Sequence, residues 1–224
     1  MTNNIRDNLE AIRRDIREYS PHPEKVRLIA VSKKQPVERI YAGVEAGITD
    51  LGENRIQDAL EKFRRHPFPG ITRHFVGYLQ SNKANKCLQN FEWLHSLQSE
   101  KLARIIARKE QGIHCLIEVN ISGESQKSGL APDSVYPFVK RIREYAGLDV
   151  RGLMGMASFT DDGDAIRRSF ALLRSLSEQC RELETANVRF EELSMGMSND
   201  YRTALEEGAT MLRIGTAIFG PRTG

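Results

Sequence analysis

Eight short apolar runs of strand character recur along the chain, and each is followed by a stretch that reads as a helix. The runs cover 27–32, 49–52, 74–77, 92–96, 114–119, 150–154, 190–194 and 211–215. Helical patterns fill 36–46, the stretch up to 65, the stretch from 80, then 99–111, 133–146 and 163–185, the stretch up to 207, and a last turn at 216–219. One further helix leads the chain over 4–19, where Ile5, Leu9, Ile12 and Ile16 form an apolar stripe among charges. Strands that alternate with helices predict a parallel sheet with right-handed crossovers. Eight repeats in a chain of 224 residues predict a single (β/α)8 barrel with an extra N-terminal helix. A doubly wound sheet is the alternative, but no Gly-x-Gly-x-x-Gly follows an early strand. No linker, repeat or low-complexity segment divides residues 1–224, which read as one domain.

A barrel of this kind carries its chemistry at the strand C-termini and the loops after them. The first run, Leu28-Ile29-Ala30-Val31-Ser32-Lys33, ends in a lysine. A lysine at the end of a buried strand is either an ordinary solvent-facing residue or a desolvated amine. A desolvated amine loses its proton more readily and becomes a nucleophile toward carbonyl compounds. The other strand ends carry Asn54, Gly77, His95-Ser96, Asn120, Met154 to Met156, Ser194 to Ser198 and Arg213 to Thr216. Ser194-Met195-Gly196-Met197-Ser198 precedes a helix, and Gly215-Thr216 opens the last turn. Hydroxyls and N–H groups at helix starts favour anions, and the loops after strands seven and eight are a common phosphate position in barrels. Both segments also read as plain helix caps. Arg213 inside the last strand needs a partner, because its charge cannot be titrated away. Glu118, Glu53 or a ring nitrogen of a ligand would serve. His74 and His95 read as packed residues. Lys83, Lys86 and the run 104–109 read as solvated helix faces.

Composition narrows the function classes. With 40% hydrophobic and 28% charged residues, the chain can build a sizeable core. A net charge of +3 with both signs interspersed gives no case for nucleic acid or an anionic membrane. No run approaches the ~18 apolar residues of a membrane span. The start, Met1-Thr2-Asn3-Asn4, lacks the apolar core of a signal peptide. Cys87, Cys115 and Cys180 are far apart and not in metal spacing, so they read as reduced thiols of a cytoplasmic protein, with no metal site.

Eight segments, in order, resemble the pyridoxal phosphate (PLP) homeostasis protein family, whose barrels are similar to the barrel domain of alanine racemase. They are Leu28 to Lys33, Gly52-Glu53-Asn54, His74 to Gly77 with Leu79 to Lys83, Val119 to Glu124, Lys127-Ser128-Gly129, Arg151 to Met154, Leu193 to Ser198, and Arg213 to Gly220. The resemblance implies a PLP-binding barrel without the C-terminal β-domain of the racemases. It implies Lys33 as the aldimine-forming residue, Arg213 facing the pyridine nitrogen, and Asn54 beside the ring or the imine. It also implies Ser198, Gly215, Thr216 and Ser194 as the phosphate cradle. Lys127 matches the family without a role attached to it. Tyr78, Gln98, Lys34 and the stretch from Gly155 to Ser158 depart from the usual family pattern.

An arginine donates only and disfavours a protonated pyridine, which weakens PLP as an electron sink. Racemisation also needs an acid/base group on each face of the substrate carbon. The function that follows from the resemblance is therefore a PLP carrier that buffers or delivers the cofactor to PLP-dependent apo-enzymes, without efficient turnover, as a monomer. A low-activity amino-acid racemase is the alternative. A phosphate-binding barrel unrelated to PLP is a third reading.

Overall fold

A computed structural model describes residues 2–109, 112–124 and 126–221. Eight parallel strands close into a barrel in sequence order: β1 (Arg27–Val31), β2 (Asp50–Glu53), β3 (Thr72–Phe75), β4 (Trp93–Leu97), β5 (His114–Val119), β6 (Asp149–Gly155), β7 (Val188–Ser194) and β8 (Met211–Ile214). The last strand pairs with the first, Leu28 opposite Leu212 and Ala30 opposite Ile214. The predicted (β/α)8 barrel is therefore the observed fold. The doubly wound alternative fails because its sheet would have two edges, and this one has none.

The helices are α1 (Thr2–Tyr19), α2 (Val37–Glu45), α3 (Ile56–Arg65), α4 (Ala84–Leu88), α5 (Glu100–Ala107), α6 (Pro132–Ile142), α7 (Gly163–Cys180), α8 (Tyr201–Glu206) and α9 (Thr216–Phe219). The helix expected to reach Gln111 stops at Ala107, and Gln111 lies outside the described residues, as does Ser125. The stretch expected as one helix over 133–146 ends at Ile142. In β3 the expected strand 74–77 lies two residues earlier, because Val76 already leaves the strand while its N–H still bonds to Glu53 O at 2.8 Å.

The leading helix seals the place where the barrel closes. Its stripe, Ile5, Leu9, Ile12 and Ile16, is buried and packs against α2, α8 and α9, the helices flanking β1 and β8. Each such side chain contributes roughly 1.5–3 kcal/mol by leaving water. Asn8 and Arg13 add hydrogen bonds to Ile218 O at 3.0 Å and Gly47 O at 2.8 Å.

Inside the barrel, alternation along each strand sends every second side chain to the axis. Ile29, Trp93, Leu116, Met154 and Met211 form a separate apolar cluster there. Further buried axial positions are polar, namely Asp50, His74, His95, Glu118, Ser194 and Arg213. The barrel thus carries an apolar plug beside a buried polar column, and that column leads to the strand C-termini.

Candidate functional site

A cavity of about 410 Å³ opens at the C-terminal ends of the strands. Its lining includes Lys33, Asn54, Glu118, Ser198, Arg213 and Thr216, with Gly215 between the last two. Six of the seven site residues expected from sequence are therefore gathered around one space: Lys33, Asn54, Ser198, Arg213, Gly215 and Thr216. They come from four places in the chain, the ends of β1, β2, β7 and β8.

Lys33 sits just past β1, in a turn closed by Gln35 N donating to Ser32 O at 3.2 Å. The strand expected to run on to Ser32 ends at Val31, and a turn follows it. Lys34 adopts φ 58°, the left-handed region that is costly for a residue with a β-carbon. This geometry leaves Lys33 half-buried at the cavity and Lys34 exposed. Beneath the turn lies a buried cluster. Ser32 Oγ donates to Glu53 Oε1 at 2.6 Å, Lys62 Nζ donates to Ser32 O at 2.7 Å, and Lys62 also pairs with Glu53. Glu53 is thus engaged with Lys62, which leaves Glu118 and a ligand's ring nitrogen as the alternatives for Arg213.

Asn54 follows β2, and its backbone is pressed against Gly77 after β3. A β-carbon at Gly77 would lie 2.2 Å from Asn54 O. The glycine is required for this close approach, which brings two loop starts together at the cavity wall. Ser198 Oγ accepts from Ala217 N at 3.1 Å, so it caps the turn that begins at Gly215 and Thr216. The two segments expected to act together are joined by that bond.

Arg213 is 5% exposed. Its Nη1 donates to Ser194 Oγ at 2.5 Å and its Nη2 to Gly155 O at 3.0 Å. Burial lowers its pKa to about 10, against the opposing pull of Asp200 and Glu118, so it stays cationic at neutral pH. Ser194 is set apart from the other expected residues. It is fully buried, and its hydroxyl lies between Arg213 and His95 Nδ1, which is 3.0 Å away. It is not among the residues that line the cavity, and its hydroxyl is already held from both sides.

Two further features bear on the site: Glu118, named from sequence only as a candidate partner of Arg213, and a histidine pair. Glu118 lies on the cavity wall, and burial pushes its carboxyl up to about 7 against the pull of Arg213. Gln98 ties it to the neighbouring loop: its Nε2 donates to Glu118 Oε2 at 3.3 Å and its Oε1 accepts from Gly129 N at 2.8 Å. Second, His74 and His95 form a linked pair, His74 Nδ1 to His95 Nε2 at 3.0 Å. The signal available in sequence was alternation: 93 and 95, 116 and 118, 211 and 213 are axial pairs. Alternation places them inside the barrel but does not say which strand's residue meets which. Lys127 pairs with Glu124 at 2.6 Å, and only its neighbour Ser128 reaches the cavity wall. Tyr78 and Phe159 stand at the cavity mouth, 64% and 92% exposed.

The cavity therefore combines an amine, a buried guanidinium, two hydroxyls beside a helical turn and a carboxyl held near neutrality. That donor set suits a small ligand carrying a carbonyl, an acceptor atom and an anionic group. A family model described as alanine racemase, N-terminal domain, matches residues 3–223. The pyridoxal phosphate homeostasis protein of Pasteurella multocida is 38% identical over 229 residues, covering 97% of each chain. PipY of Synechococcus elongatus, solved with PLP bound, is 32% identical with a TM-score of 0.83, covering 96% of this chain and all of that one. Alanine racemase of Bacillus anthracis shares the fold at 19% identity and a TM-score of 0.74, over all of this chain and 57% of that one.

Proposed function

Because this chain belongs to the alanine racemase N-terminal domain family, and within it to the pyridoxal phosphate homeostasis proteins, we propose that it binds PLP in the 410 Å³ cavity and takes part in PLP homeostasis. One observation carries the reading. The Lys33 amine, the Arg213 guanidinium and the Ser198 and Thr216 hydroxyls line the same space. These groups match the cofactor part by part: an amine for its aldehyde, a donor for its ring nitrogen, and hydroxyls at a helical turn for its phosphate.

Bound PLP supplies an aldehyde that condenses with amines and a ring that draws electrons. Lys33 is the covalent anchor. Arg213, cationic at neutral pH, donates to the ring nitrogen and keeps it from taking up a proton. Ser198, Gly215 and Thr216 hold the phosphate, and Asn54 packs beside the ring. A weak electron sink suits storage and release better than turnover. The proposal therefore extends to a monomeric, cytoplasmic carrier, acting as one domain over residues 1–224, that buffers PLP or hands it to PLP-dependent apo-enzymes. Among the described residues no helix is long and apolar enough to cross a membrane.

The test is the near-ultraviolet and visible absorbance of the purified protein with added PLP, before and after borohydride, followed by peptide mapping. The expected result is a coloured protein whose fixed pyridoxyl group lies on Lys33, and no fixed label in Lys33→Ala. A protein that takes up no PLP on titration overturns the reading.

A further inference from the structure

Four hydrogen bonds run from the cofactor cavity to the opposite mouth of the barrel. Arg213 Nη1 lies 2.5 Å from Ser194 Oγ, Ser194 Oγ 3.0 Å from His95 Nδ1, His95 Nε2 3.0 Å from His74 Nδ1, and His74 Nε2 2.9 Å from Asp50 Oδ1. Ser194, His95 and His74 are 0% exposed. Arg213 lines the cofactor cavity. Asp50 and Arg27 line a separate cavity of about 490 Å³ at the N-terminal ends of β1 and β2.

The two ends fix the order of the protons between them. A guanidinium can only donate and a carboxylate can only accept. Burial raises the Asp50 pKa, but hydrogen bonds from His74 and Thr49 and the charge of Arg27 outweigh it, so Asp50 is ionised at neutral pH. Ser194 accepts from Arg213, and with both rings neutral and His74 donating to the Asp50 carboxylate its one proton points to His95 Nδ1. His95 Nδ1 is then bare and its proton sits on Nε2, which donates to His74 Nδ1. His74 in turn donates from Nε2 to Asp50. With both rings neutral and Asp50 ionised, every other arrangement sets two donors or two acceptors face to face in an interior closed to water. Both rings are neutral in this order. Burial depresses both, with Asp50 opposing it at His74 and the charges of Arg213 and Arg27 adding to it at His95. At His74 the charge of Arg27 adds to the depression and Glu92 opposes it.

We propose that Asp50, His74, His95 and Ser194 are a proton-ordered column that positions Arg213. The column directs the Ser194 lone pair at Nη1, while Gly155 O holds Nη2, so the guanidinium is clamped at the cavity edge. His95 and His74 are positioning residues: they act on the cofactor's ring nitrogen only through Ser194 and Arg213. The effect on the cofactor rests on the proposed PLP site; the order of the protons does not.

The experiment uses the full chain labelled with nitrogen-15 at histidine and arginine, first without PLP. The expected spectrum at neutral pH shows both histidines protonated on Nε2 and bare on Nδ1, with slowly exchanging Arg213 guanidinium protons. An Nδ1-protonated or doubly protonated ring at either position, at neutral pH, overturns the column. The second arm titrates PLP into His95→Phe, which removes the acceptor, and His95→Asn, whose carboxamide oxygen replaces Nδ1. His95→Phe is expected to lose the slow Arg213 protons and to bind PLP at least tenfold more weakly, and His95→Asn to recover both in part. Wild-type affinity and unchanged Arg213 protons in His95→Phe overturn the positioning role. If wild-type protein itself takes up no PLP, the proposed function fails, and the Arg213 protons in the two variants decide the positioning role on their own.

Discussion

Replacing Glu118 by glutamine should stabilise the cofactor-free protein, and by an amount that depends on pH. Glu118 is 4% exposed, and burial lifts its pKa from 4.5 to about 7 despite Arg213. Between those values the native state keeps the carboxyl proton and the unfolded chain releases it. Native stability therefore falls as pH rises through the window. Each pKa unit is worth about 1.4 kcal/mol, so above neutrality the ionised carboxylate costs the folded state ~3 kcal/mol. Glutamine keeps the shape and an oxygen for the Gln98 contact, and it has no charge to bury. The lost attraction to Arg213 is already contained in the net shift. The advantage of Glu118→Gln should be close to zero at about pH 4.5 and grow to ~3 kcal/mol at about pH 8, or roughly 6–12 °C in Tm for a chain of this size. Urea unfolding of both proteins at several pH values, with m-values compared, is the assay. An advantage that does not change with pH would refute the reasoning, because a packing effect has no reason to titrate.

Gly77→Ala should displace the Asn54 backbone, since the new β-carbon would sit 2.2 Å from its carbonyl oxygen. We expect ~2 kcal/mol or more of lost stability in urea unfolding together with weakened PLP uptake, and wild-type behaviour in both would mean the two loops can separate freely. Ser198→Ala removes the acceptor of Ala217 N and one hydroxyl of the proposed phosphate cradle. It should weaken PLP by roughly five- to tenfold and leave unphosphorylated pyridoxal almost unaffected. Equal losses for both ligands would detach Ser198 from the phosphate. Lys62→Met leaves Glu53, 1% exposed, without its cation. A buried pair broken from one side costs about 3–5 kcal/mol, so a Tm within a degree or two of wild type would show that Glu53 is solvated after all.

Much of this protein is legible in its sequence because the periodicities are strong. Eight strand–helix alternations left little besides a barrel, and strand C-termini share one face of a barrel. Lys33, Asn54, Arg213, Gly215 and Thr216 could therefore be assigned to one end of the fold by position alone, and the helix before Gly47 and the stripe from Ile5 to Ile16 were equally plain. Boundaries were less so. The end of β1 is set by a turn that Lys34 enters at φ 58°, and nothing in its residue type announces that.

Tertiary structure decided which side chains meet. Strand alternation puts His74, His95, Ser194 and Arg213 on the barrel axis, but the stagger between neighbouring strands brings them into line, and stagger has no local signature. The same stagger takes Ser194 away from the cavity and gives it to Arg213. The helix after β2 brings Lys62 to Glu53, and the closed barrel buries Glu118 deeply enough to hold its proton near neutrality. The sequence by itself determined the barrel and the end of it that carries the chemistry. Only the closed sheet decided the pairings and the charge states, because both depend on distances between residues up to about a hundred positions apart in the chain, such as His95 and Ser194.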